Sequence, residues 1–255
     1  MVLSLHLKFL ICPRHVLRFA YLTIPQKINI MDELKWSVYI SYFSVLVPIS
    51  FFILNKKKFK NKNLYILGIF LGVSAASDFI GYALMKSGIS NIPLVNFYIL
   101  IQFLLLSWMY WEFYGKEKKQ FIKISAIIFV CIFLINTAFG EGLFVLQSYT
   151  NTASSVILIV IAYRFFRVLR TLPTVITKKI TAGIDVHFKT LYFINIAVFF
   201  YFVLNLWLFT LSPVVLEIFN EEAPVNVWVF HNVMNIIKNI FFAVGLYWAG
   251  KKELV

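Results

Sequence analysis

The stretch VNVWVFHNVMNIIKNIFFAVGLYWA, residues Val225–Ala249, determines how the fold of this chain is interpreted. It is long enough to cross a bilayer as a helix, because about 20 apolar residues span the hydrocarbon core. It also carries polar side chains at His231, Asn232, Asn235, Lys238 and Asn239. At about 100° per residue these fall in one stripe roughly 120° wide, opposite an apolar face. The apolar face can meet lipid, so the polar face must meet other helices.

Lys238 lies near the middle of this stretch, where an unpaired ammonium costs roughly 2.5–3.5 kcal/mol on insertion scales. It therefore needs an acidic partner, a wet cavity or covalent neutralisation. Asp78 is the only charged residue inside the apolar stretch LYILGIFLGVSAASDFIGYALM. A rise of about 1.5 Å per residue puts both at similar depth. We predict an Asp78–Lys238 ion pair; the alternative is a protonated Asp78 bonded to a neighbour, with Lys238 facing a cavity.

The composition is that of an integral membrane protein. Of the 255 residues, 61% are hydrophobic and 14% are charged, which leaves too little polar surface for a soluble globule. The net charge of +13 does not indicate nucleic acid, because the basic residues stand in short connections between apolar stretches. The expected partner of this surface is the lipid bilayer.

Seven apolar stretches follow one another after Met31, with short connections between them. Their lengths predict an all-α bundle of seven transmembrane helices, a single membrane domain over residues 31–255. The predicted spans are 36–54, 64–85, 94–114, 122–139, 147–169, 190–211 and 225–249.

The charges of the connections predict an orientation. The first, third and fifth connections and the carboxyl tail hold 17 lysines and arginines, whereas the other side from Met31 onward holds only Lys35 and Lys86. Basic connections stay in the cytoplasm. We therefore predict an external amino terminus and a cytoplasmic carboxyl terminus, in a bacterial cytoplasmic (inner) membrane.

Residues 1–30 differ from the rest. They hold four basic residues, no acidic residue and two prolines, and their apolar run is too short to span. Met31 opens a second plausible start, MDELKW. We interpret residues 1–30 as a doubtful upstream extension; the alternative is an amphipathic arm at the membrane surface.

Polar residues in the spans predict a ligand pocket inside the bundle. Its candidates are Asp78, Gln102, His231, Asn232, Asn235, Lys238 and Asn239. His231 either titrates as a switch or proton relay, or serves as an ordinary hydrogen-bonding residue. Asp185 and His187 are too few to predict a metal site, and no nucleophile or phosphate-loop motif is present, so we predict no metal and no catalytic residues.

Two resemblances follow from these residues. Seven spans with a lysine midway along the last resemble rhodopsins, which implies retinal on Lys238 with Asp78 as counter-ion; Met234 stands where microbial rhodopsins have an aspartate. More of the chain resembles uncharacterised bacterial seven-helix membrane proteins, with an acid in the second span, NxYxLxQ in the third and W-x-x-H-N-x-x-N-I-x-x-N in the last. The residues concerned are Asp78, Asn91, Asn96, Tyr98, Gln102, Trp228, His231, Asn232, Asn235, Ile236 and Asn239.

These features favour a receptor over an enzyme. We expect a small ligand or membrane signal to be sensed in the polar pocket and passed to a cytoplasmic partner through the basic loops. The alternatives are a carrier of protons or small solutes, a retinal protein, and a membrane-embedded lipid hydrolase similar to lysoplasmalogenases. Apart from retinal in that alternative, we expect no cofactor.

Overall fold

The computed structural model describes residues 28–56, 62–114, 116–176, 181–218 and 223–251. In these ranges the chain forms α-helices joined by short turns, without β-strands. The helices are α1 (Ile28–Ser44), α2 (Leu46–Asn55), α3 (Lys62–Lys86), α4 (Ile92–Phe113), α5 (Lys116–Phe139), α6 (Ser148–Ile176), α7 (Thr181–Ile218) and α8 (Ala223–Gly250). The predicted all-α class is confirmed for this part of the chain.

Seven segments of the described residues are long and apolar enough to cross a membrane, as predicted. They are Trp36–Asn55, Leu64–Lys86, Ile92–Phe113, Lys119–Phe139, Ser148–Arg170, Phe188–Leu208 and Val229–Gly250. The bounds differ from the predicted ones by a few residues, and α7 continues past its span to Ile218. Helix α1 begins at Ile28, before Met31, whereas residues 1–27 of the doubtful extension lie outside the described residues.

The first span consists of two helices because of Pro48. Proline has no N–H to donate, and its ring crowds the carbonyl four residues earlier, here that of Ser44. The helix is interrupted at Val45 and resumes with Ile49 N donating to Val45 O at 3.3 Å. The Ser44 hydroxyl, beside the break, donates to Ser41 O at 2.6 Å. The interruption bends the span without ending it.

Helix α8 is central to the bundle, since it packs against α1, α2 and α7. Glycines let the backbones approach closely. A Cβ at Gly245 would lie 2.9 Å from Ile194 Cγ1 and 3.2 Å from Thr190 O on α7, and the Phe52 ring fills the space beside Gly68. Stacked and edge-on aromatic rings fill the core, including Phe103 on Phe129 at 3.9 Å. These contacts fix the depth of α8 and of its polar stripe.

The outer surface of the bundle is apolar. Large apolar side chains that are mostly exposed in the isolated chain include Phe43, Phe79, Leu134, Phe139 and Trp207. So much exposed apolar surface is unfavourable in water but suits hydrocarbon. The described chain is therefore a multi-pass membrane bundle.

The two ends of the bundle differ in charge. We call "basic end" the end with the α2–α3, α4–α5 and α6–α7 connections and the carboxyl end of α8. Described cations there lie on aromatic rings: Arg164 on Phe121 at 4.3 Å and Lys189 on Trp248 at 4.4 Å. Such contacts stabilise a cation at the membrane boundary.

At the opposite end, the α5–α6 connection is held by a polar network around Glu141. The Glu141 carboxylate accepts from the backbone N–H groups of Ser148 (3.0 Å) and Tyr149 (3.2 Å), which begin α6, and from Asn136 Nδ2 (2.8 Å). It thus caps α6, where a helix leaves N–H groups unpaired and favours negative charge. Burial nevertheless raises the pKa of Glu141, and these hydrogen bonds oppose the rise.

Asn96 of α4 binds the same connection from the interior of the bundle. Its Nδ2 donates to Leu143 O and to Val145 O, both at 2.8 Å, and its Oδ1 accepts from Gln147 N at 3.2 Å. Gln147 Nε2 donates in turn to Thr137 Oγ1 and Gly142 O. Gly142 has a φ of 78°, a conformation that glycine adopts without strain. Asn96, which belongs to the NxYxLxQ motif of the third span, thus holds a connection in place.

Candidate functional site

The centre of the bundle contains one buried ammonium group. Lys238 is only 3% exposed, on the α8 face that looks inward. Its Nζ lies 4.3 Å from the centre of the Tyr201 ring and 5.8 Å from that of Phe70. A cation over an aromatic face gains about 0.5–2 kcal/mol, the upper value when water is excluded. The rings therefore offset part of the cost of burying Lys238.

Asp78 of α3 lies near Lys238 without a direct contact. The two charges act on each other, but no salt bridge within 4.0 Å joins these two described side chains. The Asp78 Oδ2 atom is buried and has no hydrogen-bond partner in the described part of the protein. The Asp78–Lys238 pair therefore stays a prediction, and a gap separates the two groups.

Three tyrosines surround Asp78. Its carboxylate interacts electrostatically with Tyr42 of α1, Tyr98 of α4 and Tyr201 of α7. The Tyr98 hydroxyl donates to Ser74 Oγ at 3.0 Å, and Ser74 stands one turn before Asp78 on α3. Ser74 is a small residue, so α4 can approach this face of α3 closely. Side chains of three other helices therefore lie near the carboxylate.

Gln102 adds an amide to this centre. It is 6% exposed, and its side chain faces the Tyr201 hydroxyl. Its Nε2 nevertheless has no hydrogen-bond partner of good geometry among the described residues. Gln102 therefore contributes an unused donor beside Tyr201.

His231 and Asn205 continue the polar centre toward the opposite end. Asn205 Nδ2 donates to the Tyr201 carbonyl at 2.9 Å, which turns its Oδ1 toward His231 Nδ1, also at 2.9 Å. An amide oxygen only accepts, so Nδ1 of His231 carries the proton in this contact. Asn205 is a polar residue of the sixth apolar span. Its spacing of four from Tyr201 on an apolar helix was the available signal.

The three asparagines of the α8 stripe bond to serines of α1. Asn232 Nδ2 donates to Ser37 Oγ at 3.1 Å, Asn235 Nδ2 to Ser41 Oγ at 2.9 Å, and Asn239 Nδ2 to Ser44 Oγ at 2.7 Å. We call these contacts the Asn–Ser ladder. The residue numbers rise together along both helices, so α1 and α8 run parallel.

The ladder changes the interpretation of these asparagines. The sequence placed them in a ligand pocket, but in the structure their amide nitrogens join two helices. The Asn239 Oδ1 atom is buried and has no hydrogen-bond partner within the described chain, so it remains available for other contacts. The three serines on α1 and the three asparagines on α8 each span seven residues, in steps of four and three on α1 and of three and four on α8, and these helical spacings are the pattern that would have indicated the ladder.

The remaining polar residues lie apart from this centre. Glu112 is half-buried near the basic end of α4. The side chains of Asp185 and His187 lie outside the described residues. Among the described residues, no three His, Cys, Asp or Glu side chains gather in a group that could hold a metal ion.

The centre combines charges with unmet hydrogen-bonding capacity. We call "central site" the set Asp78, Gln102, Tyr201, Lys238 and Asn239. It offers an ammonium and an amide N–H as donors, and a carboxylate oxygen and an amide oxygen as acceptors. A buried polar atom without a partner costs about 1–3 kcal/mol. A small molecule with both donors and acceptors would satisfy these atoms.

Comparison of the chain with protein-family models, with curated proteins and with solved structures finds no match.

Proposed function

We propose that this protein recognises a small polar ligand at the central site and signals its presence to a partner at the basic end. The observation that supports this most is the coincidence of a buried ammonium with three unpartnered buried atoms: Asp78 Oδ2, Gln102 Nε2 and Asn239 Oδ1. Buried polar atoms are normally hydrogen-bonded, so such a concentration favours a polar guest.

The charges define the kind of ligand. Lys238 and Gln102 favour an anionic or carbonyl group, whereas Asp78 and Asn239 favour a cationic or hydroxyl group. A small zwitterion, such as a free amino acid, has both groups on one short skeleton. Such a skeleton would lie between Asp78 and Lys238.

Helix α8 connects this site to the basic end. The Asn–Ser ladder couples it to α1, and Gly250 at its end lies against the Asn55 side chain of α2. A ligand that displaces Lys238 would therefore move α8 together with α1 and α2. We propose that this end faces the cytoplasm of a bacterium, where its lysines and arginines would meet an acidic partner.

The direct test is binding by the purified full-length chain. Melting temperature in detergent would be measured with the common amino acids, glycine betaine and glycerol as probes. A bound ligand raises the melting temperature in proportion to RT ln(1 + [L]/Kd). We expect at least one zwitterionic probe to raise it in the wild type but not in Asp78→Asn or Lys238→Gln.

Lys189→Gln is the matched control, because it removes one positive charge at the basic end. Its response to the probes should equal that of the wild type. Two results would contradict recognition of a zwitterion at the central site: equal shifts of the melting temperature in all variants, or no shift with any of the probes.

Proton transport is the second candidate function. Asn205, His231, Tyr201 and Lys238 form a nearly continuous polar path from the middle of the bundle toward the opposite end. This function predicts proton flux into vesicles, measured with a pH-sensitive dye, that Lys238→Gln abolishes. A retinal protein instead predicts a visible absorbance band on adding retinal, with borohydride trapping at Lys238.

A further inference from the structure

A groove between α4 and α5 lies near the basic end, apart from the central site. It consists of two adjoining clefts of about 560 Å³ and 330 Å³, which share Trp111, Lys123 and Ile127. Both are within the size range of ligand clefts, roughly 300–1,000 Å³. The groove lies on the outer surface of two membrane spans, so lipid has direct access to it.

The mouth of the groove is basic and aromatic. Lys119, Gln120 and Lys123 line the wider cleft, and the Lys119 Nζ lies 5.3 Å from the centre of the Trp111 ring. Lysine and tryptophan together are typical of the headgroup level of a bilayer. Two ammonium groups at this depth attract an anion, and basic pockets between membrane helices bind anionic headgroups.

The deeper part of the groove is apolar, with one exception. Leu104, Ile122, Ala126 and Ile127 form its walls. Ser107 also lines this part of the groove; it is 3% exposed, and its hydroxyl has no hydrogen-bond partner in the described part of the chain. A helical serine usually bonds the carbonyl four residues earlier, so an unbonded hydroxyl in a cleft is a donor available to a ligand.

The spacing of these features follows the layout of a phospholipid. Ser107 stands one turn, about 6 Å, farther into the membrane than Trp111. A phosphate at Lys119 and Lys123 would place the glycerol ester carbonyls near that depth and an acyl chain along the apolar walls. A free phosphate ion would use only the mouth of the groove.

We propose that the α4–α5 groove is a binding site for one anionic phospholipid. Lys119 and Lys123 bind its phosphate, the Ser107 hydroxyl donates to an ester carbonyl, and the apolar walls hold one acyl chain. Charge complementarity selects an anionic lipid over a zwitterionic one, whose headgroup carries its own cation. The site is independent of the proposed ligand at the central site.

The test is native mass spectrometry of the full chain in detergent, titrated with phosphatidylglycerol or phosphatidylcholine of the same acyl chains. We expect the wild type to bind one phosphatidylglycerol at least about fivefold more tightly, the effect of roughly one good charge-assisted hydrogen bond. The double variant Lys119→Gln/Lys123→Gln should lose this preference. Ser107→Ala should weaken binding of both lipids, and Ala126→Phe should block the groove without a change of charge.

The matched control is Lys189→Gln/Lys251→Gln, which removes two cations from the same end, both located at the Trp248 ring. It should keep the preference for phosphatidylglycerol. An equal loss in both double variants would show a general charge effect and overturn the proposal. Full displacement of the lipid by inorganic phosphate would also overturn it, because the site would then bind a free anion.

Discussion

Lys238 shows how one residue imposes requirements on its neighbours. Its charge lies in the middle of an apolar span, and two other helices bring groups toward it: Phe70 and Asp78 on α3, and Tyr201 on α7. Intramembrane charges almost always face the bundle interior, where partners or water reduce their cost. The ring contacts of Lys238 were not predicted, since aromatic residues occur throughout these spans.

The Asp78–Lys238 interaction can be measured by a double-mutant cycle. Asp78→Asn and Lys238→Gln each leave one buried charge without its counterpart, so we expect each to lower the free energy of unfolding in detergent. The double variant should lose about 0.5–3 kcal/mol less than the sum of the single losses. Additive losses would show that the gap between the two groups uncouples them.

Glu141 predicts a dependence of stability on pH. Because burial raises its pKa above the ordinary 4.5, the folded chain binds this proton more readily than the unfolded chain. Its contribution is complete below pH 4.5 and is lost as pH rises through the higher pKa of the folded state.

We therefore expect the melting temperature of the wild type, relative to that of Glu141→Gln, to fall as pH rises above 4.5 and through the higher pKa of the folded state. Both would be measured by scanning fluorimetry in the same detergent. A constant difference would contradict the prediction. Asp78 lies inside a span and is present in both proteins, so its titration cancels in the comparison.

At the level of helices, close approach between α7 and α8 depends on Gly245. Gly245→Ala should destabilise the bundle by about 1–3 kcal/mol, because the added methyl group meets the Thr190 carbonyl and Ile194 of α7. Gly72→Ala is the control, since nothing lies within 4 Å of the position of its added Cβ. It should be neutral or stabilising by up to about 1 kcal/mol. If the two substitutions changed the unfolding midpoint equally, α7 would have to shift to accommodate the methyl group without a loss of stability.

The contact between helices α1 and α8 is one that the sequence pattern did not predict. The polar stripe of α8 was evident from its spacing, but a stripe does not name the surface that it meets. The serines of α1 are common, weakly polar residues of an apolar helix, and only the parallel packing of the first and last spans pairs them with asparagines. Residues nearly 200 positions apart have no local pattern that connects them.

For the whole molecule, the predicted orientation has a simple test. Single cysteines at Ser87 and at Lys56, on opposite ends of the bundle, would be introduced with Cys12 and Cys131 changed to serine. In intact bacterial cells, a membrane-impermeant maleimide should label Ser87→Cys, whereas Lys56→Cys should react only after lysis. The reverse pattern would contradict the rule that basic connections stay in the cytoplasm.

The sequence by itself determined that the chain contains seven apolar spans, which the described residues confirm, and that Lys238 and the asparagines of the stripe on the last helix are buried. Both follow from local physics, since the length of an apolar run and the depth of a charge in it are properties of one segment. Only the tertiary structure decided which polar groups meet. It assigned Asn232, Asn235 and Asn239 to the contact with α1, Asn96 and Glu141 to a connection, Tyr201 to Lys238 and Gln102 to Tyr201. Amides and hydroxyls bond equally well to many partners, so the packing of helices far apart in the chain makes the choice.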